Sequence, residues 1–175
     1  MDAMSDSPHK TLIIVWHSRT GAARQMAQAA RDGAHAAARL LEADARFTAR
    51  LCPASQVQPE DLLQADGYLF CAPENLAALS GAMKECFDRN YYAVLDQLNG
   101  RPYALLISAG SDGRMAAQQA TRICTGWRLR PALPPLIVNL AAQTPQAILA
   151  PKTLPEADRQ ASAEAGATLA GLLLL

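Results

Sequence analysis

The segment HSRTGAAR, residues 17–24, gathers the residue types that hold anions. Ser18 and Thr20 carry hydroxyl donors, and Gly21 lets the backbone turn tightly and approach a ligand. If a helix starts there, the amides of Gly21, Ala22, Ala23 and Arg24 lack intrahelical acceptors, and the helix dipole adds a positive field. That combination binds phosphate or a similar anion. The local string also fits a helix start capped by Thr20 with no ligand. Two more polar stretches, PENLAAL (73–79) and AGSDG (109–113), follow oily runs in the same way. His17, Glu74 and Asp112 are the nearby ionisable side chains, and each has an ordinary role open to it: packed imidazole, loop-capping carboxylate, solvated turn aspartate. Lys84 and Asp88 sit one helical turn apart and read as a surface pair worth a few tenths of a kcal/mol.

Alternating strands and helices must position these loops. Residues 11–16, TLIIVW, form a continuous apolar run, as in a strand buried on both faces. Met26, Ala27, Ala30, Ala34, Ala37, Ala38 and Leu41 keep helical spacing across 22–41. RFTARLC (46–52) reads as a second strand and PEDLLQA (59–65) as a short helix. GYLFCA (67–72) is a third strand running into an irregular loop, and a helix follows from Ser80 to Asn99-Gly100. YALLIS (103–108) is a fourth strand, a helix runs through Ala116 to Trp127, and LIVNL (136–140) is a fifth strand. Pro145, Pro151 and Pro155 mark an extended linker before a last helix from about Glu156. This alternation predicts an α/β fold with a parallel sheet covered on both sides. In such a sheet, ligands sit beyond the carboxyl ends of the strands, where the three polar loops fall.

The bulk numbers narrow the classes. A chain of 175 residues reads as one domain and is long enough to bury a core without disulfides or metals. Half the residues are apolar and the formal net charge is zero, which gives no support for nucleic-acid binding. The first ten residues, MDAMSDSPHK, read as a disordered tail without the apolar region of a signal peptide, leaving 11–175 as the domain. The closing LLLL is too short to span a bilayer, so no membrane partner is expected and the chain reads as cytoplasmic. Cys52, Cys71, Cys86 and Cys124 form no C-x-x-C pair and read as buried reduced thiols, not as metal ligands.

Ser18-Arg19-Thr20-Gly21-Ala22-Ala23 resembles the phosphate loop of flavodoxin-like FMN proteins. ADGYLFCAPENLAALSGAMKECFDR (65–89) resembles the third-strand segment of the NAD(P)H-dependent FMN reductases and quinone oxidoreductases of that superfamily, and LLISAGSDG their fourth-strand loop. The resemblance covers about residues 11–140. It implies a flavodoxin-like three-layer sandwich with a five-stranded parallel sheet in the order 2-1-3-4-5, and one FMN per site. On that pattern Ser18, Arg19, Thr20, Gly21, Ala22 and Ala23 hold the phosphate. Pro73, Glu74, Asn75 and Leu76 edge the ring, while Ser108, Ala109, Gly110 and Gly113 lie at its pyrimidine end. The chain departs from the pattern at Ala23, where threonine is common, and in having no aromatic residue in the second or third loop.

The resemblance implies an FMN-dependent oxidoreductase that takes electrons from NAD(P)H and gives them to a quinone or similar small-molecule acceptor. No catalytic acid or base is nominated, because the flavin carries the chemistry. An electron-transfer flavodoxin and a flavin-free binding module are the alternatives; balanced charge and aliphatic ring loops rank the carrier below the enzyme. A dinucleotide-binding fold is disfavoured, because the first turn lacks G-x-G-x-x-G. Tyr91 and Tyr92 suit a homodimer contact, with core packing equally open to Tyr91.

Overall fold

A computed structural model describes residues 8–175. The long strands are β1 (Lys10–Trp16), β2 (Phe47–Pro53), β3 (Gly67–Asn75) and β5 (Pro102–Ala109). Shorter ones are β4 (Ala78–Leu79), β6 (Arg130–Pro131) and β7 (Leu136–Asn139). The helices are α1 (Ala22–Leu40), α2 (Pro59–Gln64), α3 (Gly81–Val94), α4 (Arg114–Gly126), α5 (Pro145–Leu149) and α6 (Glu156–Leu174). Lys10 already pairs with Phe47, so the domain starts before the expected boundary at residue 11. His9 shares a 2.9 Å hydrogen bond with Thr48 Oγ1, and the first seven residues of the expected tail lie outside the described residues.

The main sheet is parallel, with β2-β1-β3-β5 at its centre. β5 is the fourth strand of the sequence reading. Its outer neighbour is divided: β6 pairs with residues 102–103 and β7 with 106–109. β4 folds back antiparallel on β3. The expected five-stranded order therefore holds at the centre, and two two-residue strands bring the count to seven. β1, the first half of β3 and β5 are almost wholly buried, as strands with helices on both faces must be.

The two faces of the sheet have different cores. On one, Ile13, Val15, Phe70, Leu105 and Ile107 meet α2, α3 and α4. There Phe87 lies 4.7 Å from Phe70 and 5.2 Å from Trp127, ring centre to ring centre. On the other, Leu12, Ile14, Leu69 and Leu106 meet the alanine face of α1 and Ala165, Leu169 and Ala170 of α6. α1 and α6 touch backbone to backbone. A methyl group on Gly33 would collide with the Ala163 carbonyl, and one on Gly166 with the Ala30 carbonyl.

All four cysteines are free and buried. Burial pushes each thiol above its ordinary range, Cys86 to about 11 and Cys71 and Cys124 further. The Cys71 thiol donates to the Ala23 carbonyl at 3.0 Å, which ties the middle of β3 to the first turn of α1. Among the described residues no helix is long and apolar enough to cross a membrane.

Candidate functional site

The sheet order reverses direction between β1 and β3, and a cleft of about 280 Å³ opens at the carboxyl ends of the central strands. That volume is close to the lower bound of about 300 Å³ for small-molecule sites. Three groups of expected residues converge on it: Ser18, Arg19, Thr20 and Ala22; Pro73, Glu74 and Asn75; Ser108, Ala109 and Gly110.

The first loop is built around Gly21, which caps α1 at φ 104°, a conformation that side-chain-bearing residues rarely adopt. Gly21, not Thr20, is thus the N-cap. The Gly21 amide donates to Ser18 Oγ at 3.1 Å. It is therefore not one of the free donors expected from the sequence, whereas the Ser18 hydroxyl keeps its own proton to donate. Ala22, Ala23 and Arg24 present first-turn amides without intrahelical acceptors. Gly21 and Ala23 do not line the cleft, and Ala23 is buried, so its side chain faces the core. No acidic residue occupies the first turn of α1, and Arg24 stands there instead. The usual arrangement places carboxylates at this end of the dipole. A helix that leaves it positive is suited to an external anion.

His17 lies outside the cleft lining. Its amide donates to the Cys71 carbonyl at 3.0 Å, and its Nδ1 shares a 2.9 Å hydrogen bond with Ser80 Oγ. Burial, then the Arg19 charge, lowers its pKa. Ser80 occupies the expected N-cap of α3, but its side chain serves His17 and makes no capping bond.

The second loop is a hairpin, where the sequence predicted irregular chain. β3 continues through Pro73, Glu74 and Asn75, and Glu74 and Asn75 pair with Leu79 and Ala78. Leu76 and Ala77 make the turn at φ 51° and 63°. Such turns usually use Asn-Gly or Gly, and that signal is missing here. Leu76 is fully exposed at the tip and does not line the cleft.

The Glu74 carboxylate accepts the Gly113 amide at 2.8 Å, the loop-capping role open to it from the sequence. Gly113 caps α4 and, with its amide engaged, is also absent from the lining. Asp112 pairs with Arg114 at 2.7 Å in an exposed turn, and Lys84 with Asp88 at 2.7 Å.

The sequence reading missed one side of the cleft. Leu140, Ala142, Ile148, Leu149 and Lys152 complete its lining. Ile148, Leu149 and Lys152 lie in and beside α5, in the stretch read as a proline-marked linker, while Leu140, read as the end of the fifth strand, and Ala142 follow β7. Thr144 accepting the Ala147 amide and Pro145 at the first helical position were the available signals. Among the described residues no aromatic side chain lines the cleft, and Trp127 is buried in the core away from it. Its ionisable residues are Arg19, Lys152 and Glu74.

A doubly wound α/β sheet with an anion-ready helix N-terminus at its switch point defines a flavodoxin-like nucleotide-binding domain. Residues 17–144 match the model of the NADPH-dependent FMN reductase family, and the chain belongs to that family. It is a flavodoxin-like oxidoreductase domain of the FMN-binding type. Solved structures agree on the fold. A flavodoxin from the domain Archaea superposes with a TM-score of 0.72 at 15% identity, covering 93% of this chain and 98% of its own. A WrbA-like flavodoxin from Agrobacterium tumefaciens gives 0.68 at 14% identity, covering 94% and 97%. An oxidoreductase from Corynebacterium diphtheriae gives 0.70 at 19% identity, covering 95% and 98%. Among curated proteins no sequence match was found.

Proposed function

We propose that the protein is an FMN-dependent oxidoreductase that passes electrons from NAD(P)H to a quinone or a similar small-molecule acceptor. The observation that carries this reading is the N-terminus of α1. It has unpaired amides, hydroxyls at Ser18 and Thr20, cations at Arg19 and Arg24, and no carboxylate in its first turn. This donor set fits a phosphate monoester, which is largely a dianion near neutral pH.

Ser18, Arg19, Thr20 and the amides of Ala22 and Ala23 would hold the phosphate. Pro73, Glu74 and Asn75 would lie along one side of the ring, and Ser108, Ala109 and Gly110 along another. Gly21, Leu76 and Gly113 serve as framework: a cap, a hairpin tip and a second cap. When bound, FMN supplies hydride and electron transfer at its ring. The aliphatic lining leaves a ring face unshielded by protein aromatics, which favours stacking of a nicotinamide or quinone. A helix N-terminus of this kind suits a terminal phosphate dianion, so FMN is the expected flavin over FAD.

The test is the visible spectrum of the purified protein with added FMN, followed by NAD(P)H oxidation with a panel of quinones. Flavin binding and turnover support the reading. A protein that stays colourless in excess FMN overturns it. FMN binding without oxidation by any acceptor points to an electron carrier.

A further inference from the structure

α5 is five residues long, yet it is fastened on several sides. The Lys152 ammonium donates to the carbonyls of Ala147 at 2.6 Å, Ile148 at 3.1 Å and Ala150 at 2.5 Å, closing the carboxyl end of α5. The Lys152 amide donates to the Thr20 carbonyl at 2.7 Å. Gln25, one turn into α1, completes the attachment. Its Nε2 donates to the carbonyls of Lys152 at 2.7 Å and Gly21 at 3.0 Å, and its Oε1 accepts the Leu154 amide at 3.0 Å. One side-chain amide thereby fixes both the anion loop and the segment that carries α5.

The attachment presents two apolar side chains to the cleft. Ile148 is 52% exposed and Leu149 is 78% exposed, and both line it. Water-facing aliphatic side chains gain by being covered. The cleft they line is continuous with the anion loop and with the β3 and β5 loops, so the occupant of those loops is the body within reach.

We propose that α5 is a fourth wall of the flavin site, with Ile148 and Leu149 packing on an apolar part of the bound flavin and Gln25 acting as a positioning residue. This rests on the FMN reading above. The wall contributes apolar contact and not phosphate recognition, so it acts on flavins with and without a phosphate. That separates it from the anion loop.

The experiment is a fluorescence titration of the full chain with FMN and with riboflavin, which lacks the phosphate. Variants are Ile148→Ser with Leu149→Ser, Gln25→Ala, and all three combined. Both wall side chains face solvent, so the serine variant keeps its fold, checked by circular dichroism. Affinity for both flavins should fall at least tenfold in the serine variant. Gln25→Ala should weaken both by several-fold, and this effect should disappear when added to the serine pair. Unchanged affinity in the serine variant overturns the wall. An undiminished Gln25 effect on the serine background overturns its positioning role. A wild-type protein that binds neither flavin removes the FMN reading and the wall together, a result distinct from failure of the serine variant alone.

Discussion

Glu74 on the β3 hairpin and Gly113 at the head of α4 are joined by a 2.8 Å hydrogen bond from the Gly113 amide to the Glu74 carboxylate. The carboxylate serves α4 as an N-terminal acceptor supplied by another element, where that helix has no acidic residue in its own first turn. The bond locks together two of the loops that border the cleft. Glu74→Ala should lower stability by about 1 kcal/mol, as loss of a helix cap does, measured by urea denaturation. Glu74→Gln, which keeps an acceptor, should lose less. Equal losses in the two variants would show that the acceptor oxygen is not what matters.

Thr20→Asp places a carboxylate at the positive end of α1. FMN affinity should fall at least tenfold, about 1.4 kcal/mol, with riboflavin affinity and the unfolding midpoint little changed. Undiminished FMN binding would place the phosphate elsewhere.

Two glycines of α6 should respond in opposite directions to alanine. Gly166 lies against the Ala30 carbonyl, so Gly166→Ala should cost roughly 1–3 kcal/mol through forced separation of α1 and α6. A methyl on Gly171 meets nothing within 4 Å, so Gly171→Ala should raise stability by up to about 1 kcal/mol through helix propensity. Denaturation midpoints of the two variants give the comparison, and shifts of the same sign would contradict the packing described.

His17 should make stability pH-dependent. Burial, then Arg19, holds its folded pKa below the ordinary 6.5. Between that lowered value and 6.5 the unfolded chain binds the extra proton. The His17 contribution is therefore complete above about 6.5 and is lost as pH falls through the window. The unfolding midpoint of wild type should drop more steeply below pH 6.5 than that of His17→Gln. Parallel curves would exclude the coupling.

The buried thiols should resist alkylation. With every cysteine buried and its pKa raised, iodoacetamide at pH 8 should label the native protein slowly and the urea-unfolded chain fully. Rapid native labelling of any one thiol would contradict its burial.

Much of the architecture was written in local pattern. The TLIIVW run, the alanine face of α1 and the oily strands before polar loops fix the order of the central elements and place the anion loop. What escaped depends on contacts between distant residues or on unusual local choices. The Leu76-Ala77 turn adopts left-handed conformations without glycine or asparagine, so the β3–β4 hairpin left no signal. Leu98 is fully buried although α3 ends at Val94, because the turn that follows the helix folds it back onto the core. α5 was obscured by its prolines, and the bonds from Gln25 to the Lys152 segment have no local signature.

That last connection sets a timetable for the newborn protein. Gln25 and Lys152 are 127 positions apart. At a synthesis rate of about 5–20 residues per second, Gln25 waits roughly 6–25 seconds for its partner to be made. Throughout that interval the small-residue face of α1 has no α6 to lie against, and the anion loop has no anchor on its far side. A ribosome that stalls after β5 therefore holds a chain whose central strands are made but lack α6 beside α1 on one face and α4 beside α3 on the other, a natural client for chaperones.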